Sequence, residues 1–126
     1  MKLRIKGDSL RLRLTQGEVT QLDTGGVVEE KVRFPGSSAL TYRLRRDAVA
    51  TSMNASFAEG AVEVRVPEKA VRAWASSNDE GISGSQPIAA GEELRISVEK
   101  DFKCLAPREH EDESDNFENP TVGKTC

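Results

Sequence analysis

The densest set of nucleophilic and metal-ligating side chains lies near the C-terminus. Cys104 is followed six residues later by His110, the only histidine, and Cys126 is the last residue. Glu109, Glu111, Asp112, Glu113 and Asp115 flank the histidine. A Zn²⁺ or Fe²⁺ site takes about four ligands from thiolate, imidazole and carboxylate. Cys104, His110 and Cys126, with Glu111 or Asp112, supply those types. The spacing matches no zinc pattern, because there is no Cys-x-x-Cys and no second histidine. Asp112, Glu113 and Asp115 lack the glycine of a calcium loop. Cys104 with His110 also supplies the residue types of a thiol nucleophile, but a thiolate is disfavoured among so many acids. The plain alternative is a packed Cys104, a solvated His110 and a frayed Cys126.

A second group is basic. Arg4, Arg11, Arg13, Arg43 and Arg45 recur at alternate positions in apolar stretches, with Lys2, Lys6 and Arg46 beside them. If those strands adjoin, the guanidiniums form one patch able to hold phosphate or carboxylate. The bland reading is a solvated sheet face. A third is that the acidic C-terminal segment lies across the patch. Platforms for single-stranded nucleic acid also need exposed aromatics, and Tyr42 is nearly the only candidate.

Bulk composition narrows the classes. The chain has 126 residues, 37% hydrophobic and 31% charged, which suits one domain with a modest core of Leu, Val and Ile. Residues 104–126 hold six of the 21 acids and two of the 18 bases, leaving 15 acids and 16 bases in residues 1–103. A near-neutral body argues against general nucleic-acid binding. No apolar run approaches the roughly 20 residues of a membrane span. The start, Met1-Lys2-Leu3-Arg4-Ile5-Lys6, has no continuous apolar core of a secretory signal. The expectation is a cytoplasmic protein whose cysteines are thiols or ligands rather than a disulfide.

The elements that position these residues can be read from periodicity. Residues 2–6 and 10–14 alternate apolar with basic and predict half-buried strands. Thr15 and Glu18 have capping-box spacing for a helix carrying Val19 and Leu22, which Gly25-Gly26 ends. Val28, Val32 and Phe34, then Leu40, Tyr42 and Leu44, predict a hairpin about Pro35-Gly36. Strands follow at 52–58 and through Val62, Val64 and Val66. Pro67 then suits the first position of a helix with Val71 and Trp74 inward. A weaker strand at 82–88 and a stronger one through Leu94, Ile96 and Val98 complete the body.

The two halves match. Leu12, Leu14, Val19 and Leu22 correspond to Val64, Val66, Val71 and Trp74 at an offset of 52, and Leu40, Tyr42 and Leu44 to Leu94, Ile96 and Val98 at 54. This predicts an α+β fold: a mainly antiparallel twisted sheet from two pseudo-repeated β-α-β-β units, about 9–47 and 61–101, with two short helices. One domain spans 1–103, and 104–126 forms an irregular acidic tail. The predicted core is Leu3, Ile5, Leu12, Leu14, Val19, Leu22, Val64, Val66, Val71, Trp74, Leu94, Ile96 and Val98.

The opening Met1-Lys2-Leu3-Arg4-Ile5 with Leu10-Arg11-Leu12-Arg13-Leu14-Thr15, and the closing Glu99-Lys100-Asp101-Phe102 with Cys104-Leu105, Arg108 and Glu111 to Asp115, resemble a small bacterial family of unknown function. The resemblance covers nearly the whole chain. It implies a bacterial origin and a soluble stand-alone domain, and supplies no activity, cofactor or catalytic residue. The functional expectation is therefore a non-enzymatic binding domain for a protein partner or small anionic ligand. The alternatives are a zinc or iron protein on Cys104, His110 and tail carboxylates, and a thiol enzyme on Cys104.

Overall fold

Alternation sets the strands, and their apolar sides decide what they face. The computed structural model describes residues 1–102 and 114–118. Eight strands and two helices follow in the order β1 (Lys2–Ile5), β2 (Ser9–Leu14), α1 (Gln16–Gly25), β3 (Val27–Arg33), β4 (Ala39–Asp47), β5 (Asn54–Ala58), β6 (Ala61–Pro67), α2 (Glu68–Ala75), β7 (Gly81–Ala89) and β8 (Glu92–Lys100). The class is α+β, as the periodicity predicts, and pairing is mostly antiparallel. The strands are nonetheless shared between two mixed sheets, ordered β1-β2-β8-β7 and β3-β4-β6-β5. Each helix carries the chain from one sheet to the other. Neither helix is long and apolar enough to cross a membrane.

The internal symmetry is complete at the level of register. β2 pairs in parallel with β8, Leu12 opposite Val98. β4 pairs in parallel with β6, Leu44 opposite Val64. These are the same pair under the offsets of 52 and 54. The outer hairpins obey the same rule: Leu3–Leu12 in β1–β2 answers Ala55–Val64 in β5–β6, and Val28–Leu44 answers Ile82–Val98. Each unit is thus β-β-α-β-β, one strand longer than the alternation alone delimits.

The core repeats too. Met1 and Met53, Leu12 and Val64, Leu14 and Val66, Val19 and Val71, Leu22 and Trp74, and Leu44 and Val98 are all buried in one cluster. Ile5, a predicted core residue, is 59% exposed, and its counterpart Phe57 is 69% exposed. Ile5 ends β1 and Phe57 is next to the end of β5, at the end of the sandwich away from the helices, and among the described residues no element covers them. Leu3 and Leu94 are partly buried. Val28 and Leu44, read from the sequence only as strand residues, and Met1 and Met53 also belong to the core.

Helix α1 begins as its capping box dictates. Thr15 Oγ1 accepts from the Glu18 amide (3.4 Å), and the Thr15 amide donates to Glu18 Oε1 (3.0 Å). The two remaining free amides are met from far along the chain: Gln16 donates to the Asp115 carbonyl (3.0 Å) and Gly17 to Asp115 Oδ2 (3.2 Å). All four orphan donors of the helix start are satisfied. A side chain at Gly17 would place its Cβ 2.9 Å from that carboxylate oxygen, so glycine lets Asp115 approach. Gly26, at φ 84°, closes the helix. Pro67 precedes α2 as its cap rather than starting it, in an extended conformation (ψ 138°); the residue after it is the first whose backbone turns helical.

Composition predicts an irregular tail from 104 onward. Residues 104–113 and 119–126 lie outside the described residues, but Ser114–Glu118 packs on the body. Asn116 is 2% exposed. Phe117 donates its amide to the Asp101 carbonyl (2.7 Å), and its ring lies 5.6 Å from that of Phe102. The Lys100 ammonium sits over both Phe117 (5.5 Å) and Trp74 (5.8 Å) and donates to the Ser77 carbonyl (2.7 Å). Apolar and cation–π contact thus brings this segment to the helix end.

The sheets meet at their edges as well as their faces. The Gln86 side chain on β7 accepts from the Ala55 amide (2.7 Å) and donates to the Ala55 carbonyl (3.0 Å) on β5, replacing a strand partner with an amide. Gln86→Leu leaves both Ala55 groups without that partner. We expect it to destabilise the fold by about 1–3 kcal/mol, seen as a lower urea midpoint with an unchanged slope.

Candidate functional site

The predicted basic residues divide between two surfaces. Arg4, Arg11 and Arg13 point outward from the β1-β2-β8-β7 sheet, and Arg43 and Arg45 from the other. The expectation of one shared patch is therefore corrected. β2 and β4 are not neighbours: each takes its parallel partner from the opposite half of the chain, so their outer faces lie on opposite sides of the sandwich.

On the β3-β4-β6-β5 face, the arginines are neutralised internally. Glu63 is only 12% exposed and lies 3.2 Å from Arg43 Nη1, 3.1 Å from Arg45 Nε and 2.6 Å from Arg65 Nη2. Glu29 takes the other side of Arg43 at 2.9 Å. Burial opposes ionisation of Glu63, but hydrogen bonds from Arg45 and Arg43 and the charge of Arg65 outweigh it and hold the carboxyl below its ordinary value. Tyr42, the aromatic candidate for stacking, turns inward instead. Its hydroxyl lies 3.2 Å from both the Met1 carbonyl and Glu30 Oε2, and burial, with Glu30 nearby, pushes its pKa up.

The β1-β2-β8-β7 face is built differently. Register aligns its outward side chains in rows across the four strands. One row is Lys2, Arg13, Glu99, Gly81; the next is Arg4, Arg11, Ser97, Ser83; the third is Ser9, Arg95, Ser85. Lys2 pairs with Asp101 at 3.0 Å. Glu99 is shared between Arg13 (3.4 Å) and Arg11 (3.5 Å). Among the described residues, Arg4 and Arg95 have no ion-pair partner. Arg95 was missed by sequence reasoning. It stands alone in a strand of mixed character, and only the parallel β2–β8 pairing places it beside Arg11.

The other predicted ligands, Cys104, His110, Glu111, Asp112 and Cys126, lie outside the described residues. Among the described residues, no group of three His, Cys, Asp or Glu side chains is placed to hold a metal.

Residues 1–121 match a family of unknown function, DUF7009. The chain belongs to that family. No curated protein and no solved structure matches it. The two basic faces of this DUF7009 chain differ in how far their charges are compensated within the molecule.

The Glu63 cluster yields a prediction. A carboxylate with a depressed pKa stabilises the fold above its unfolded-state pKa, and that stability is lost as pH falls through the folded value. Glu63→Gln should destabilise at neutral pH by about 1–2 kcal/mol. It should also flatten the acid limb of the stability curve below the ordinary carboxylate range, as measured by denaturation from pH 7 to pH 2.

Proposed function

We propose that this protein is a non-enzymatic binding domain whose working surface is the outer face of the β1-β2-β8-β7 sheet, and that its ligand is anionic. The observation behind this reading is the comparison between symmetry-related rows. The middle row on the β3-β4-β6-β5 face reads Ser56, Glu63, Arg43, Glu29, and its three charges alternate in sign and are ion-paired. The equivalent row on the opposite face reads Arg4, Arg11, Ser97, Ser83. The scaffold is the same, yet here two arginines stand directly opposite each other and no acid lies in the row. Lys2 opposite Arg13 is a second like-charge pair, met by Asp101 and Glu99 as Arg45 opposite Arg65 is met by Glu63 on the other face.

Like charges directly opposed across strands destabilise a sheet, and an anion laid over them removes that repulsion. The face has no outward aromatic among its described residues, so the reading favours carboxylate- or phosphate-bearing partners over stacked bases.

Two measurements test it. Binding to poly-L-glutamate should be salt-sensitive and should weaken in Arg4→Gln and Arg13→Gln, while Arg43→Gln and Arg45→Gln bind as the parent does. Equal losses on both faces would reduce the effect to net charge and sink the proposal. In the absence of ligand, Arg4→Gln should be more stable than the parent by about 0.2–1 kcal/mol, read as a raised urea midpoint at low salt.

A further inference from the structure

The basic face is not evenly filled. Against β2, β8 and β7 it opens into a hollow of about 510 Å³ whose lining includes Arg11, Arg95, Ser83, Ser85 and Ser97. That volume lies in the range that small ligands occupy. The hollow exists because the outward positions of β7 are Gly81, Ser83, Ser85 and Pro87. None is the β-branched or aromatic residue that such positions favour. Their counterparts on β3 include Glu29 and Lys31, which are long enough to fill the equivalent space.

The donors around the hollow converge. Arg95 has Ser85 opposite it on β7, and Ser97, beside Arg11, has Ser83 opposite. Arg11, which Glu99 also meets at 3.5 Å, and Arg95 are diagonal neighbours on adjacent strands, so both guanidiniums can reach one ligand group. Among the described residues, the hydroxyls of Ser83 and Ser85 have no hydrogen-bond partner. Ser97 donates to Glu99 (3.3 Å) and Ser9 to the Lys6 carbonyl (2.6 Å), so those two are walls rather than free donors. Glu93 is the acid in the lining.

Building on the proposed anion-binding role of this face, we infer that the hollow binds a small phosphate monoester carrying hydroxyl groups. Arg11, Arg95, Ser83 and Ser85 would hold the phosphate. A carboxylate, with two oxygens in one plane, is served by a single guanidinium fork. Two guanidiniums and two hydroxyls arriving from different strands suit a tetrahedral group with three terminal oxygens and a charge near −2. Glu93 would repel a second anionic group and accept a hydrogen bond from a ligand hydroxyl.

The test is a titration of the full chain with inorganic phosphate and with glycerol 3-phosphate, followed by NMR against sodium chloride of matched ionic strength. The expected result is saturable shifts centred on β7 and β8, tighter for glycerol 3-phosphate. Binding should weaken about tenfold or more in Arg95→Gln and in Ser85→Val. Valine fills the hollow yet suits a strand, so its effect on binding is separable from loss of fold. Absence of saturable shifts beyond the chloride control, or unchanged affinity in both variants, would overturn the inference. If poly-L-glutamate still binds in that case, only the phosphate subsite falls; if it does not, the anion-binding reading falls with it.

Discussion

β2 and β4 each find one neighbour in their own half of the chain and the other only in the opposite half. The parallel contacts between β2 and β8 and between β4 and β6 hold the two units together, and most of the architecture follows from them. A parallel pair cannot be closed by a hairpin. The chain must leave one sheet, and it does so through α1 and α2, which gather at one end against strands of both sheets. The core is then a single cluster drawn from both halves. Each outer face is likewise composite: Arg4 and Arg11 come from the first unit, and Arg95 and Ser83 from the second. Neither half alone could present the basic hollow.

The local grammar of the chain was legible and its neighbourhood was not. Period-two alternation fixed which side of β2, β6 and β8 is apolar, and the offsets of 52 and 54 located the symmetry that the registers obey. Alternation says nothing about which strand lies alongside. Arg11 and Arg13 look the same in sequence as Arg43 and Arg45. Only pairing brings Glu63 against the second set and Glu99 against the first, and leaves Arg4 and Arg95 without an ion-pair partner among the described residues. The N-terminal cap of α1 shows the same boundary. Thr15 and Glu18 are three residues apart and readable, whereas Asp115, nearly a hundred residues on, completes the helix start from a segment whose composition suggested no structure at all. Apolar Phe117, next to the acids, was the signal available there.

Ile5 and Phe57 show how symmetry refines the reading of an exposed residue. Either one alone is unremarkable, since apolar atoms make up much of any protein surface. Occurring at equivalent positions in both units, they mark the end of the sandwich that the helices leave open. The core ends where the cover ends, and the alternation of an edge strand continues past that point.

The two faces also serve as controls for each other. Position 63 is equivalent to position 11, and the scaffold places glutamate at one and arginine at the other with the same register, the same inward neighbours in kind and the same strand order. Nothing in the fold therefore requires a cation at position 11. A domain of this size has a net stability of about 5–15 kcal/mol, and the Arg4–Arg11 pair subtracts about 0.2–1 kcal/mol, while Lys2 and Arg13 are relieved by Asp101 and Glu99. That cost is small enough to be tolerated. It is also avoidable, since a single acid in the row would remove it, as Glu63 does on the other side. The glycine and serines of β7 point the same way: they forgo side-chain packing that the equivalent strand retains, and they leave room next to Arg95, which has no ion-pair partner among the described residues, and Arg11, which meets only Glu99. Arg45 stands opposite Arg65 on the other face, but both are held by Glu63. Arg4 and Arg95, by contrast, lack an ion-pair partner among the described residues, and Arg95 lines the unfilled hollow; a ligand that supplies negative charge and volume explains both.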